Sequence, residues 1–145
     1  MNEPLRKDEL QALCARAQET ALHAYAPYSR FRVGAAVSGR HGIYVGANVE
    51  NASYGLAICA ERVALATAIA AGDNNIRAVA VACIDADPTR DLEEFVPCGA
   101  CRQWLVELAP SAQIIVCGKD KIFSIHDLLP IPFRLTHPEE KDSPR

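Results

Sequence analysis

The helix and strand that decide the fold lie at residues 55–84, which read GLAICAERVALATAIAAGDNNIRAVAVACI. Residues 60–71 form an alanine-rich apolar run that predicts a helix, and Gly72 supplies its end. Residues 76–84 are almost continuously apolar, with small and β-branched side chains that are typical of a buried strand. A helix followed at once by a buried strand indicates an α/β protein.

Helices and strands alternate along the rest of the chain. Apolar residues recur at helical spacing from Lys7 to about Ala26, and Pro27 supplies a stop. Two strands around a glycine-bearing turn at residues 39–42 predict a hairpin. Then follow a helix at residues 101–108, a buried strand at 112–118 and a short helix capped by Ser124. We therefore expect a single α/β domain over residues 1–145, with helices on both faces of a central sheet.

Composition and charge exclude several classes of function. The chain carries a formal net charge of −3 without any run rich in Lys and Arg, so the electrostatic pattern of a nucleic-acid binder is missing. The N-terminal MNEPLRKDEL has mixed charge, and no apolar stretch approaches the length that spans a bilayer. We expect a cytoplasmic protein that binds neither a nucleic-acid polymer nor a membrane.

Several cysteines, histidines and acidic residues have ordinary structural interpretations. Reducing conditions disfavour structural disulfides, so the six cysteines are expected to be metal ligands, catalytic thiols or small buried residues. Cys14 falls in the first helix, and Cys83 and Cys117 fall in apolar strands, which favours core positions. The four histidines show no ligand-like spacing. Residues 85–94 contain five acidic residues and one proline, which indicates a solvated loop.

The other three cysteines lie at the starts of two helices. Cys98 and Cys101 are three residues apart, nearly one helical turn, so both sulfurs can face one point. Cys59 begins the preceding helix in the same way, and a helix N-terminus favours the thiolate that a metal needs. Two helix starts that point at one another would deliver three thiolates to one ion.

Three protein ligands favour a catalytic zinc over a structural one, because a structural zinc nearly always has four. The zinc then keeps a position for water and lowers the pKa of that water toward neutrality. Glu61, two residues after Cys59, is well placed to move protons beside it. Two alternatives stay open: Glu61 is an ordinary acidic residue of a first helical turn, or the chain is a zinc-stabilised scaffold with a fourth ligand.

The motifs CAER at residues 59–62 and PCGACRQ at residues 97–103 resemble the homotetrameric cytidine deaminases. Further matches are YAPYSRFRVGAA, NVENASYG and LLPIPF, so the resemblance extends across most of the chain. The H-x-E of the zinc deaminase signature stands here as C-x-E. The resemblance implies a three-layer α/β/α sandwich around a mixed sheet of about five strands, and a homotetramer whose subunits share active sites.

The activity that this resemblance implies is hydrolysis of cytidine and 2′-deoxycytidine to uridine and 2′-deoxyuridine, with release of ammonia, in pyrimidine salvage. One Zn²⁺ per subunit, with water or hydroxide in its fourth position, would be held by Cys59, Cys98 and Cys101. Glu61 would protonate N3 of the base and then the leaving amine. The alternative within the enzyme class is a deaminase of a related or N4-substituted cytosine nucleoside, such as blasticidin S.

The resemblance also assigns residues that bind the nucleoside. Phe31 would pack against the base and sugar, and the backbone N–H of Ala60 would bind the base carbonyl. Tyr54 and Phe133 would complete the pocket from neighbouring subunits. Arg62, bonded to ligand sulfurs, would withdraw part of the negative charge of a three-thiolate zinc site, although an exposed surface arginine is the alternative.

Asn48 and Glu50 leave the same face at the end of a strand. An amide and a carboxylate can together bind a sugar hydroxyl, and the alternative is an Asx-type turn after the hairpin. The Glu50 carboxylate would accept a hydrogen bond from ribose but repel a phosphate. The sequence therefore predicts that the substrate is a nucleoside rather than a nucleotide.

Overall fold

The computed structural model describes residues 3–136. The helices in this range are α1 Lys7–Ala21, α2 Ala60–Ala70, α3 Gly99–Leu108 and α4 Ile125–Leu128. The strands are β1 Val33–Ser38, β2 Ile43–Ala47, β3 Ala78–Cys83, β4 Gln113–Val116 and β5 Lys121–Phe123. None of the helices found between residues 3 and 136 combines the length and the apolar composition needed to cross a membrane.

The five strands form one mixed sheet in the order β2-β1-β3-β4-β5. β1 pairs antiparallel with both β2 and β3, β3 pairs parallel with β4, and β4 pairs antiparallel with β5. A parallel pair needs a crossover connection, and α3 supplies it between β3 and β4. The predicted mixed sheet is confirmed, although β5 has only three residues, too few for the alternation that identifies a strand in sequence.

Alternate residues of the central strands face two different helix layers. Val79 and Val81 pack with residues of α2, α3 and α4 in one core cluster. Ala78, Ala80 and Ala82 pack with residues of α1 in the other. Because the side-chain period of a strand is two, a run that is apolar at every position covers both faces. The predicted α/β/α sandwich is confirmed, and among the helices of residues 3–136 α1 is the one that packs on the second face.

At two glycines the backbone of a helix packs directly against the backbone of the sheet. A Cβ at Gly34 would collide with the Ala17 carbonyl of α1. A Cβ at Gly46 would lie 2.7 Å from the Ala60 carbonyl, in the first turn of α2. Larger side chains at Gly46 would therefore push away the helix start that carries Cys59 and Glu61.

The first helix is shorter than the sequence predicted. α1 ends at Ala21 rather than near Ala26. Residues after it turn into an extended segment, in which the Tyr25 N–H donates to the Asn48 carbonyl at 3.0 Å and the Tyr25 carbonyl accepts from the Glu50 N–H at 2.8 Å. This pairing with the chain beyond β2 replaces the last helical turn, and it holds Asn48 and Glu50 in place.

Cys14 and Cys117 are joined by a disulfide, which corrects the expectation that both are unpaired core residues. Their Cα atoms are 5.7 Å apart, because α1 crosses the sheet face at the end of β4. Both side chains do lie in or against the apolar cluster beneath α1. The pairing spans 103 residues of sequence, and no local spacing indicates it.

Candidate metal centre and substrate cavity

Two helix starts meet at one point of the structure and bring three thiols together. Cys59 is the N-cap of α2, Cys98 is the N-cap of α3, and Cys101 lies in the first turn of α3. The Sγ atoms of Cys59 and Cys98 are 3.6 Å apart, and all three sulfurs lie within 4.8 Å of one another. The thiols that the sequence singled out are therefore close enough to bind one ion.

The Cys59 and Cys101 thiols are close enough to shift the pKa values of one another. A hydrogen bond from Cys101, aided by Arg62 and Cys98, lowers the pKa of the Cys59 thiol to about 5 despite its burial. The same bond to Cys59, together with burial, raises the pKa of the Cys101 thiol. The cluster thus stabilises thiolate at Cys59, the form that coordinates a metal.

The donor set fits zinc. Three sulfur ligands at two helix starts match the tetrahedral, thiolate-rich coordination that zinc accepts. Between residues 3 and 136 no other His, Cys, Asp or Glu joins this group, and His137 lies outside that range. As far as the structure describes the chain, the protein supplies three ligands, as a catalytic zinc requires.

Glu61 is the second residue of α2 and is only 4% exposed. Burial raises the pKa of its carboxyl to about 7, and the negative charge of Cys59 adds to this shift. Its backbone N–H, the Cys101 thiol and Arg62 act in the opposite direction. An ordinary first-turn acidic residue would be exposed, so burial argues against that alternative. The carboxyl can hold or release a proton near neutral pH beside the three thiols.

Arg62 lies against the thiols and not on the exposed helix surface. Its Nη2 donates to the Cys59 Sγ at 3.6 Å, and the side chain is half-buried. Its buried Nε has no hydrogen-bond partner among residues 3–136. A guanidinium held beside a thiolate cluster offsets negative charge there, which is the role that the sequence analysis assigns to it.

A cavity of about 420 Å³ opens beside the thiols. Its lining has two groups of polar side chains, a polar end of Ser29, Asn48 and Glu50 and a metal end of Cys59, Glu61 and Cys98. The other lining residues are Phe31, Val33, Ala60, Val81, Cys83, Glu94, Phe95 and Val96. The structure therefore brings most of the predicted site residues into one cavity with a metal end and a polar end.

The polar end is organised by hydrogen bonds between the backbone and the side chains of Asn48 and Glu50. The Asn48 side chain donates to the Phe31 carbonyl at 2.9 Å and accepts from the Val33 N–H at 2.8 Å. Glu50 Oε1 accepts the N–H groups of Tyr28 and Ser29, each at 3.1 Å. Hydrogen bonds from the Ser29 side chain and backbone lower the pKa of Glu50, so its carboxylate is charged at neutral pH. An amide and a carboxylate have further donor and acceptor capacity for a ligand.

Tyr54 and Phe133, which the resemblance assigns to the pocket of a neighbouring subunit, do not line the cavity of their own chain. Tyr54 is 78% exposed, with its ring 6.2 Å from that of Tyr28. Phe133 is 70% exposed, and its carbonyl accepts from the Gln103 side chain at 2.8 Å. Both side chains are therefore largely open to solvent within one chain.

The cavity wall includes side chains that sequence reasoning missed. Cys83 was expected only in the core, but its thiol lines the cavity. Burial, and then the charge of Glu61, raise the pKa of this thiol to about 12, so it stays neutral. Phe95 and Val96 line the wall from the end of the acidic segment. The only signal for them in sequence is their position just before the PCGAC motif.

Known proteins resemble this chain over most of its length. Residues 7–117 match the family described as "Cytidine and deoxycytidylate deaminase zinc-binding region". A cytidine deaminase of Halalkalibacterium halodurans is 46% identical over 74% of this chain and 78% of its own. A probable cytidine deaminase of Dictyostelium discoideum is 40% identical over 87% of this chain and 84% of its own. The solved cytidine deaminase of Burkholderia pseudomallei superposes with a TM-score of 0.74 at 43% identity, over 85% of this chain and 98% of the other.

Proposed function

Because the chain belongs to the cytidine deaminase family, we propose that it converts cytidine and 2′-deoxycytidine to uridine and 2′-deoxyuridine with release of ammonia. The observation that carries this proposal is the presence of three thiols and a buried carboxyl, Glu61, at one end of a nucleoside-sized cavity. Pyrimidine salvage is the metabolic role that fits this reaction. The cytoplasmic location expected from the sequence remains a prediction.

We assign the chemical roles from the geometry of the cavity. Zn²⁺ held by Cys59, Cys98 and Cys101 would activate water for attack on C4 of the pyrimidine. Glu61 lies beside these thiols and is buried, so it would deliver a proton to N3 and then to the departing amine. A non-catalytic scaffold would need a fourth protein ligand, and residues 3–136 offer none at the cluster.

The sugar would lie at the other end of the cavity. Glu50 is charged and half-buried there, where it can accept a hydrogen bond from a ribose hydroxyl. Phe31 lines the same cavity, where it would contact the base and sugar. The Ala60 N–H, at the start of α2, is our candidate donor to the base carbonyl. The substrate would span the cavity from sugar to amino group.

The direct test of this function is a panel of cytosine compounds incubated with the purified protein. Uridine and ammonia should form in equal amounts from cytidine, and 2′-deoxycytidine should also be deaminated. Blasticidin S and N4-substituted cytidines are the alternatives from the same enzyme class. Turnover of one of those without turnover of cytidine would replace the proposed substrate while leaving the deaminase assignment intact.

We predict that Glu50→Gln raises KM for cytidine much more than it lowers kcat. The amide keeps the hydrogen bonds from the Tyr28 and Ser29 N–H groups but loses the charge that binds the sugar, so kcat/KM should fall about ten- to a hundredfold. Steady-state kinetics measure this, with the exposed Glu19→Gln of α1 as a matched control. Unchanged kinetics would remove Glu50 from the substrate site. The same charge should make cytidine 5′-monophosphate a poor substrate.

We further propose that the protein acts as a homotetramer with active sites shared between subunits. Tyr54, Leu56, Ile131, Phe133 and Leu135 are all at least 66% exposed, an unusual amount of open apolar surface for one chain. The cavity also lacks an aromatic cover from its own Tyr54 or Phe133. A second copy that contributes these rings would bury the apolar surface and close the pocket against water.

Mixing two inactive variants tests this sharing. Glu61→Gln and Phe133→Ala chains, mixed in equal amounts, unfolded and refolded together, should recover about a quarter of the wild-type rate. In random assembly, about a quarter of the sites combine Glu61 from one chain with Phe133 from a neighbouring chain. Glu61→Gln mixed with Glu50→Ala, assayed at cytidine concentrations well below KM, is the control, since both residues line the cavity of one chain and no intact site can form. A fully active monomer, or no recovery in the first mixture, would contradict shared sites.

A further inference from the structure

We propose that Lys119 is a positioning residue that holds the acidic segment of residues 85–96 as a wall of the substrate cavity, and thereby restricts which substituents on the cytosine amino group are accepted. This inference rests on the proposed function. It gives the segment a role in substrate specificity, in addition to its being a solvated loop.

Lys119 makes three contacts with this segment from the turn after β4. Its Nζ donates to the Pro88 carbonyl at 2.8 Å and to the Arg90 carbonyl at 2.6 Å. The same ammonium lies 4.3 Å from the centroid of the Phe95 ring. Charge-assisted hydrogen bonds and a cation–π contact on a half-buried side chain are stronger than ordinary surface contacts. One side chain thus fixes both the middle and the end of the segment.

Two other cations hold the ends of the same segment. Arg32 forms a two-pronged ion pair with Asp85, with Nε 2.9 Å from Oδ2 and Nη2 2.8 Å from Oδ1. Arg102 Nε donates to the Pro97 carbonyl at 2.8 Å, one residue before Cys98. Between these two ends, Lys119 is the cation that holds the backbone of the stretch to the rest of the chain. The acidic residues there are mostly exposed, as predicted, and it is the backbone of the segment that is held.

The end of this segment borders the metal end of the cavity. Phe95 is 5% exposed and lines the cavity with Glu94 and Val96. The Cys83 thiol donates to the Phe95 carbonyl at 4.0 Å, and Cys83 and Glu61 line the same cavity. Val96 is two residues from Cys98. The wall would therefore lie beside the C4 amino group of a cytidine bound with that group at the metal end.

Loss of the ammonium should loosen this wall and widen the cavity next to the amino group. A close-fitting pocket discriminates one methylene by about tenfold or more. Lys119→Met keeps an aliphatic stem of similar length but loses both hydrogen bonds and the charge over Phe95. We expect the ratio of kcat/KM for N4-methylcytidine to that for cytidine to rise about threefold or more.

Two further variants separate this role from general stability. Lys119→Arg retains the charge and the N–H donors, so its ratio should return toward the wild-type value. Lys121→Met is the matched control, because Lys121 lies two residues away on β5 and its ammonium contacts the Phe123 ring at 5.6 Å, not the cavity wall. An unchanged ratio in Lys119→Met, or an equal change in Lys121→Met, would overturn the proposal.

Hydrogen exchange gives a readout that does not need turnover. Amide protons of residues 85–96 should exchange faster in Lys119→Met than in the wild type, while those of α2 should not change. Unchanged exchange in the segment would refute the anchoring by Lys119. Wild-type protein that does not deaminate cytidine would instead refute the proposed function, and the specificity role with it.

Discussion

Glu61→Gln is expected to lower kcat for cytidine by about 10²- to 10⁴-fold or more while zinc stays bound. The amide has nearly the volume of the carboxyl, so the buried position in α2 remains filled. It cannot accept and return a proton, and both the N3 protonation and the departure of the amine depend on that transfer. The loss should therefore appear in kcat rather than in KM.

The measurement compares cytidine turnover with zinc content per subunit in the same preparation. Glu107→Gln is the matched control, because Glu107 is an exposed residue of α3 and the substitution is chemically identical. Zinc content and thermal stability of Glu61→Gln should stay close to those of the wild type. Substantial deamination by this variant would show that another group moves the proton.

Cys101→Ala is expected to lose zinc, activity and a large part of the stability. Cys101 is fully buried, and its sulfur lies where the starts of α2 and α3 meet. The ion would join these two helix starts, so its binding free energy contributes to folding. If free zinc is present at about 1,000 times its Kd, loss of zinc binding lowers the free energy of unfolding by about 4 kcal/mol. For a domain of this size that corresponds to a fall in Tm of roughly 10 °C or more.

Cys83→Ala is the control variant for the loss of zinc expected in Cys101→Ala. Cys83 lines the same cavity, is half-buried and is a neutral thiol, but it does not belong to the three-sulfur cluster. Its replacement should leave one zinc per subunit, as metal analysis can measure. A Cys101→Ala protein that keeps zinc and activity would mean that the ligand assignment is wrong, and so would loss of zinc in Cys83→Ala.

The metal end of the site could be predicted because its determinants are local in sequence. Cys98 and Cys101 are separated by nearly one helical turn, and Cys59 starts a helix whose apolar pattern is unmistakable. Each position is fixed by its own helix. The two helix starts come together because α2 and α3 pack on the same face of the sheet.

Other features depend on contacts between distant parts of the chain, which no spacing reveals. The Cys14–Cys117 disulfide needs α1 to cross the sheet at the end of β4. Tyr25 leaves the helical pattern because the backbone beyond β2 offers it hydrogen bonds. Lys119 has no motif, and its role follows only from carbonyl groups that lie 29 and 31 residues earlier.

Asp73 is a buried residue whose contacts the sequence also does not reveal. This carboxylate is buried and accepts hydrogen bonds from the Arg40 and His41 N–H groups and the Tyr44 hydroxyl. Burial alone would raise its pKa, but these bonds lower it, so it is charged at neutral pH. It ties the β1–β2 turn to the end of α2. In the sequence it is only an aspartate after a helix-ending glycine.

Reconstitution with zinc tests the central claim most directly. Protein stripped of metal with a chelator would receive Zn²⁺ in steps while the conversion of cytidine is followed by absorbance and by ammonia release. We predict that the rate rises in proportion to bound zinc and stops rising at about one ion per subunit, as three protein ligands with an open position require. Full activity in the stripped protein, or bound zinc with no deamination of any cytosine nucleoside, would contradict the account.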